Sequence, residues 1–167
     1  MSSSNDSLPE RVAESIQQLS IVATDLNSAS DELTEAISAI NTVLQGLNIG
    51  LATWTTIDSG NGLPDDGSYW SRSLGYAKIG NKWGIALRDV AGDANYPNEE
   101  LCDEWLFNDA PRWLRLAGIS KIPDLLETMV KTTQETTKKI RVKTAEAEQL
   151  AAVIAQAAGK KASQGGK

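Results

Sequence analysis

The stretch VAESIQQLSIVATDLNSASDELTEAISAINTVLQGL, residues 12–47, carries a regular apolar repeat. Apolar residues recur at alternating spacings of four and three, the pattern of a helix that buries one side against other helices. We call the eleven repeat positions the seam, and nine of them are large aliphatic residues. The seam consists of Val12, Ile16, Leu19, Ala23, Leu26, Ser30, Leu33, Ile37, Ile40, Leu44 and Leu47. We predict a first helical arm over residues 8–47, on the order of 60 Å long at ~1.5 Å per residue.

A second arm with the same spacing is predicted over residues 122–158. Its seam has apolar ends and a polar middle, and consists of Ile122, Leu126, Met129, Thr133, Thr136, Ile140, Lys143, Ala147, Leu150, Ile154 and Ala157. In an antiparallel register where facing residue numbers sum to 166, Leu26 faces Ile140 and Asp25 lies near Arg141. The sequence therefore predicts an antiparallel helical hairpin, a coiled-coil stalk.

A two-helix stalk has little core of its own. The register places Ser30 beside Thr136, and a polar layer of this kind usually fixes register and the number of helices. We expect further helices to complete the stalk, most simply those of a second copy, so that the chain forms a homo-oligomer. The alternative is a lone monomeric hairpin.

Aromatic residues divide the chain into arms and a head. All five tryptophans, all three tyrosines and the single phenylalanine fall between residues 54 and 113. Large rigid side chains fill globular cores, so residues 48–121 are predicted to form a small head. Three antiparallel strands are expected at residues 49–57, 69–79 and 82–90, with a tight turn at Gly80-Asn81. Two short helices are expected next, one after Asn98 and one after Asp109, the latter burying Trp113, Leu114 and Leu116. The fold class is α+β.

Pairing across Gly80-Asn81 gives the predicted sheet two different faces. One face carries large residues and is expected to form the core: Leu74, Tyr76, Trp83, Ile85 and Leu87. The other is a strip of small residues: Ser73, Gly75, Ala77, Gly84 and Ala86. A strip of this kind permits close approach to the backbone, by a helix of the same chain, a partner or a flat ligand.

Several chemistries are made unlikely by missing residues. The sequence has no histidine and one cysteine, Cys102, which removes the usual nucleophile–histidine pairs and thiolate or imidazole metal sites. Phosphate-cradling glycine motifs are also missing. The acidic loop at residues 58–67 leaves calcium binding open, although a solvated turn explains it as well. We expect a non-enzyme with no catalytic residues, no metal and no cofactor.

Charge and targeting signals bear on partners and location. A net charge of −6 argues against a nucleic-acid partner. The basic run at Lys138, Lys139, Arg141 and Lys143 suggests an anionic surface, but the acids of the first arm offer closer partners. No apolar run approaches the roughly 20 residues that span a bilayer, so no membrane partner is expected. We expect a cytoplasmic protein with a disordered N-terminus, residues 1–7, and a disordered basic tail, residues 159–167.

Two function classes remain from the sequence. The first is a coiled-coil structural or adaptor protein that self-associates through its stalk and presents its head to a protein partner. Its seam candidates are Ile16, Leu19, Leu26, Leu33, Ile37, Ile40, Leu44, Leu126, Met129, Ile140, Leu150 and Ile154. The second is a small-ligand-binding head multimerised by the stalk, with aromatic residues stacking on the ligand and arginines binding an anion. Its candidates are Trp54, Tyr69, Trp70, Arg72, Arg88 and Tyr96.

Overall fold

The computed structural model describes residues 7–63 and 66–164, and it is an α+β fold, as predicted. Its elements are α1 (Leu8–Gly46), β1 (Thr53–Asn61), β2 (Ser68–Ile79), β3 (Lys82–Asp93), β4 (Leu101–Leu106), α2 (Arg112–Ile119) and α3 (Ile122–Gln164). Short 3-10 turns lie at Pro97–Glu99 and Phe107–Asp109. Of the N-terminal segment predicted to be disordered, residues 1–6 lie outside the described residues.

The ends of α1 follow from local sequence. The Ser7 backbone N–H donates to the Glu10 carboxylate at 2.9 Å, and Pro9 occupies the first turn, where its missing N–H costs nothing. The hydrogen bonds to Ser7 lower the pKa of Glu10. After Gly46 the chain turns at Asn48, whose φ of 49° lies in the left-handed region that asparagine tolerates. The predicted first arm is confirmed as a helix.

The four strands form one antiparallel sheet in the order β1-β2-β3-β4. Ile79 pairs with Lys82, Ala77 with Gly84 and Gly75 with Ala86, so the predicted hairpin register is confirmed. Gly80 takes the positive φ, 58°, that the tight turn requires. The fold therefore has the predicted meander, extended by one strand.

That fourth strand corrects a prediction. Residues after Asn98 were expected to form a helix, but β4 pairs with β3 from Leu101 opposite Ala91 to Leu106 opposite Ala86. β3 offers a long edge there, and the pairing sets Glu104 beside Arg88 across the strands. Pairing with this edge outweighs the local helix preference of the acidic segment. The head has four strands, and α2 is its one α-helix among the described residues.

The core lies on the predicted large-residue face of the sheet. Leu74, Tyr76, Ile85 and Leu87 are buried there beneath Ile37 and Leu44 of α1, Leu114 of α2, Leu125 and Met129 of α3, and Phe107. α1 contacts β3 and the second 3-10 turn, whereas α3 contacts β1 and β2. Part of each predicted seam therefore packs on the sheet instead of on the other arm.

The structure does not confirm the intrachain coiled-coil hairpin. Leu26 and Ile140, which face each other in the predicted register, are 51% and 60% exposed. In α3 the fully buried residue is Leu125, although the repeat selected its neighbour Leu126. The tail predicted to be disordered from residue 159 continues as helix to Gln164, and residues 165–167 lie outside the described part. Within that part, no helix has an apolar stretch long enough to cross a bilayer.

Candidate functional site

Each long helix has one half on the head and one half that no other described residue covers, apart from a 3.4 Å hydrogen bond from the Arg112 guanidinium to the Asn27 carboxamide oxygen. Every residue of α1 from 8 to 29 is exposed, as is every residue of α3 from 137 to 159. We call these segments the distal arms. At 1.5 Å per residue they are about 33 Å and about 34 Å long. A helix of this length is marginal in water without tertiary contacts.

The distal arms carry the seam residues that the structure leaves exposed. Large aliphatic side chains in these segments, each more than half exposed, include Val12, Ile16, Leu19, Leu26, Ile140, Leu150 and Ile154. The other seam candidates lie at the head. Ile37, Leu44 and Met129 are buried, and Leu33 and Ile40 are partly buried against the core. Leu126 is 39% exposed. The structure thus divides the predicted seam into a docking half and a free half.

The apolar surface of the arms is wider than one seam. Val22 and Val153 are also exposed, and each precedes a seam position by one residue. Apolar residues at three of seven heptad positions are typical of helices in globular bundles, whereas two of seven suffice for a two-stranded coiled coil. The width of this surface therefore favours contact with more than one helix. Counting only the four-three repeat had missed this signal.

α1 docks on the head through a polar stripe beside its seam. The Asn41 carboxamide oxygen accepts from the Ile85 N–H at 2.7 Å, and the Gln45 amide donates to the Trp83 carbonyl at 2.7 Å. β4 ends opposite Ala86, so these two side chains satisfy the β3 edge where no strand covers it. Sequence reasoning missed this role, because polar residues beside a seam look like a solvated face.

Arg115 of α2 anchors the N-terminal end of the same stripe, the end farthest along α1 from Asn41 and Gln45. Its side chain is buried, at 8% exposure, and the guanidinium donates to the Ser30 hydroxyl at 3.0 Å and the Thr34 hydroxyl at 3.4 Å. Asn108 adds bonds to the Thr34 carbonyl and the Ser38 hydroxyl. A buried cation held by directional bonds favours one placement of the helix over others. Ser30 is therefore the point where α1 leaves the head.

Two of the predicted ligand residues, Trp54 and Trp70, each stack on an arginine of their own chain. The Arg88 guanidinium lies 3.8 Å from the Trp54 ring centroid and pairs with Glu104. On the other side, the Trp54 ring covers Gly75, where an added Cβ would lie 2.4 Å from the ring. The small-residue strip is thus covered at Gly75 by a side chain from β1, and both faces of Trp54 are occupied.

Arg72 is held in the same way on the core face. Its guanidinium lies 4.5 Å from the Trp70 ring centroid and 4.6 Å from that of Trp113, with Asp89 at 3.5 Å. Trp70 in turn covers Gly60. Cation–π contacts of this type contribute roughly 0.5–2 kcal/mol each. The structure therefore places Arg72 and Trp70 in contacts that join β2 to its neighbouring strands and to α2.

Tyr69 and Tyr96 complete the predicted set. The Tyr69 hydroxyl lies over Gly92 and donates to the Glu100 carboxylate, whereas Tyr96 is exposed at the loop before β4. The six predicted residues are distributed over both faces and one loop of the head. They do not form one pocket.

The Tyr69–Glu100 contact predicts a pH dependence. The hydrogen bond to Glu100, together with desolvation, raises the pKa of Tyr69 above its ordinary value of 10.0. The contact therefore stabilises the fold below pH about 10, and its contribution is lost as the pH rises through the raised pKa. Replacing Glu100 with glutamine is expected to lower the pKa of Tyr69, because the neighbouring negative charge disappears. Ultraviolet titration of the phenolate, with Tyr69→Phe to assign its step, measures this. Glu99→Gln is the matched control, and equal titrations of Glu100→Gln and wild type would contradict the contact.

Two adjoining cavities lie where α1 ends, and both include Ile49. One, of about 290 Å³, is apolar and lies between the helices, with Leu44, Leu47, Leu126 and Val130 in its wall. The other, of about 390 Å³, is lined by Gln45, Asn48, Lys82 and the stacked rings of Tyr76 and Trp83. The second combines an aromatic wall with a cation.

The acidic loop, residues 58–67, contains the hydrogen bonds of a tight turn. The Asp66 carboxylate accepts from the Ser68 hydroxyl and from the backbone of Ser68 and Leu63, and the bonds from Ser68 lower the pKa of Asp66. Across residues 7–63 and 66–164 no three metal-ligating side chains cluster.

Cys102 is an exposed residue of β4. Partial desolvation of its sulfur, together with the nearby acids, raises the pKa of the thiol.

Comparison of the chain with protein-family models, curated proteins and solved structures gives no match. Function is therefore argued from the geometry of this molecule.

Proposed function

We propose that the chain is a non-catalytic structural or adaptor protein that self-associates through its distal arms and presents its head to a protein partner. The observation that carries the proposal is the repeat of exposed aliphatic side chains along the distal arms of the two long helices, where no other described residue buries them. Contiguous apolar surface of this kind marks an interaction site. Each half-exposed side chain gains about 1 kcal/mol on burial, so several together stabilise an assembly and the helices themselves.

The chemistry of the chain supports a binding role over catalysis. The sequence has no histidine, and the arginines of the head are held by aromatic rings and carboxylates, as described above. For the head, exposed Tyr96 and Leu101 lie just before and at the start of β4, and β4 is one of the two edge strands of the sheet. An edge strand is a template for contact with another chain. This edge is the proposed surface for a protein partner.

Self-association predicts a solution mass that is a multiple of 17.9 kDa. Light scattering of the wild type is expected to show the multiple, and Leu26→Asp with Ile140→Asp is expected to give a folded monomer, because a carboxylate in an apolar interface is strongly unfavourable. The matched control is Ser28→Asp with Gln149→Asp, which adds the same charges at exposed positions off the seam. Circular dichroism and tryptophan fluorescence check that each variant is folded. A monomeric wild type at every concentration would refute the proposal.

A second candidate function rests on the cavity beside Trp83. Its aromatic wall and Lys82 suit a planar or anionic small ligand. The head would then bind a ligand, as in the alternative from the sequence, but at residues other than those predicted. An oligomeric mass is compatible with both functions, because a ligand-binding head multimerised by the stalk is also an oligomer, whereas a monomeric mass is decisive. If the wild type is a monomer, the arms lose their proposed role and this cavity becomes the leading site.

A further inference from the structure

We propose that the distal arm of α1 pairs antiparallel with the distal arm of α3 from a second copy. Two chains then form a four-helix stalk with both heads at the same end. This inference rests on the self-association proposed above and specifies which surfaces meet.

Charge is the first argument for this pairing. Within one turn of the point where the arms leave the head, α1 carries the exposed acids Asp25, Asp31 and Glu32. α3 carries exposed bases at the corresponding level: Lys138, Lys139, Arg141 and Lys143. Among the described residues, the salt bridge made by this basic group is the local one between Lys143 and Glu146. Pairing α1 with α1 would bring acids together, whereas pairing α1 with α3 joins opposite charges.

The lengths of the arms are the second argument. In the register where facing numbers sum to 166, residues 8–29 of α1 match residues 137–158 of α3 from end to end. These are the segments that the structure leaves fully exposed. Leu26 then faces Ile140, and Ile16 faces Leu150. The same register leaves the docking halves, which begin at Ser30 and end at Thr136, on their own head.

Direction sets the position of the heads. α1 runs toward its head and α3 runs away from its head. When α1 lies antiparallel to the partner's α3, residue 29 of one copy is level with residue 137 of the other. Both residues adjoin a head, so the two heads stand side by side. The exposed aliphatics at three heptad positions suit the interior of the resulting bundle.

The docking contacts explain why the partner is a second copy. Asn41 and Gln45 hold α1 on the β3 edge and Arg115 holds it on α2, whereas Leu125 and Met129 hold α3 on the core beside β1 and β2. With both helices fixed at the head, Leu26 and Ile140 of one chain remain exposed. A second copy approaches without that restriction and can bury both.

Charge reversal tests the pairing directly. One variant reverses α1 (Asp25→Lys, Asp31→Lys, Glu32→Lys), another reverses α3 (Lys138→Glu, Lys139→Glu, Arg141→Glu), and a third carries all six changes. All six positions are exposed, and no salt bridge of the described chain uses them. Each single-arm variant is expected to raise the dimer dissociation constant about 100-fold, since six surface pairs, three at each of the two α1–α3 contacts, contribute about 0.5 kcal/mol each. The six-change variant is expected to dimerise like the wild type.

The decisive sample is an equimolar mixture of the two single-arm variants, followed by sedimentation velocity. Antiparallel pairing between copies predicts that the mixture dimerises, because each reversed arm finds a complementary arm on the other variant. Recovery in the six-change variant but not in the mixture would mean an intrachain hairpin and would overturn the inference. Single-arm variants that dimerise like wild type would mean that like arms pair, which also overturns it. A wild type that is itself monomeric refutes the proposed self-association, a distinct failure.

Discussion

Replacing Phe107 with alanine is expected to lower the free energy of unfolding of the head by about 3–5 kcal/mol. Phe107 lies in the 3-10 turn between β4 and α2, and its side chain is fully buried in the core. It packs near Gly118, where an added Cβ would lie 3.5 Å from its ring. Removing the ring leaves a cavity between the sheet and α2, because the surrounding backbone is fixed by strand pairing and cannot close around it.

Urea unfolding followed by tryptophan fluorescence measures this loss. All five tryptophans lie in the head, so fluorescence reports the head and not the arms. The measurement is made in the Leu26→Asp, Ile140→Asp background, because association adds a concentration-dependent stability. Leu116→Ala is the matched control: Leu116 belongs to α2 but is 61% exposed, and its truncation is expected to cost less than about 1 kcal/mol. Equal losses for the two variants would show that the core is not built around Phe107.

The elements that sequence predicted well are those whose signals are local. Gly80-Asn81 and the alternation on either side fixed the register of β2 with β3 and the face that forms the core. Pro9 and Gly46 marked the ends of α1. In each case the residues that decide the structure lie within a few positions of the element they define.

The parts that could not be predicted depend on distant partners. β4 forms because β3 offers an unpaired edge, and the acidic segment at Leu101 to Leu106 has no local signal strong enough to show this. In α2, Leu116 has the hydrophobicity of a buried residue, and yet it is exposed whereas Arg115 is buried. Arg115 can be buried because the Ser30 and Thr34 hydroxyls accept hydrogen bonds from its guanidinium. Both outcomes require knowing what lies opposite in space.

The repeat predicted which positions of the two helices are apolar, but not how those positions divide between the head and solvent. A four-three repeat specifies the side of a helix that will be buried, but not whether a sheet, the same chain or a second chain buries it. Ile37 and Leu26 are equivalent in the repeat, and yet one lies on the core and the other is exposed. The polar stripe that holds α1 on the head decides where the change occurs.

Replacing Gly75 with alanine is expected to destabilise the head by about 1–3 kcal/mol, near the upper end of that range. The new Cβ would lie 2.4 Å from the Trp54 ring and 2.7 Å from the Thr53 carbonyl oxygen, so both a side chain and the backbone must move. The ring cannot move outward freely, because Arg88 stacks on its other face and is held by Glu104. Urea unfolding in the same monomeric background measures the loss.

Gly84→Ala is the matched control for this substitution. Gly84 belongs to the same small-residue strip on the neighbouring strand, but its new Cβ would meet the side chains of Asn41 and Leu106 at 3.3 Å, a distance that small shifts can relieve. The expected cost is below about 1 kcal/mol, because alanine also reduces the freedom of the unfolded chain. A similar cost for both glycines would mean that the Trp54 ring does not press on β2.

A double-mutant cycle shows whether the strip is closed by Trp54 itself. In a Trp54→Ala background the ring is gone, so most of the Gly75→Ala penalty should disappear and only the contact with the Thr53 carbonyl remains. Additive costs would mean that the ring lies elsewhere in solution and that the strip is open to a partner. Coupling of about 1 kcal/mol or more would mean that this face of the sheet is completed by its own chain. In that case neither Trp54 nor Gly75 is available to a ligand, and the surfaces that remain for a partner are the distal arms, the β4 edge and the cavities beside Ile49.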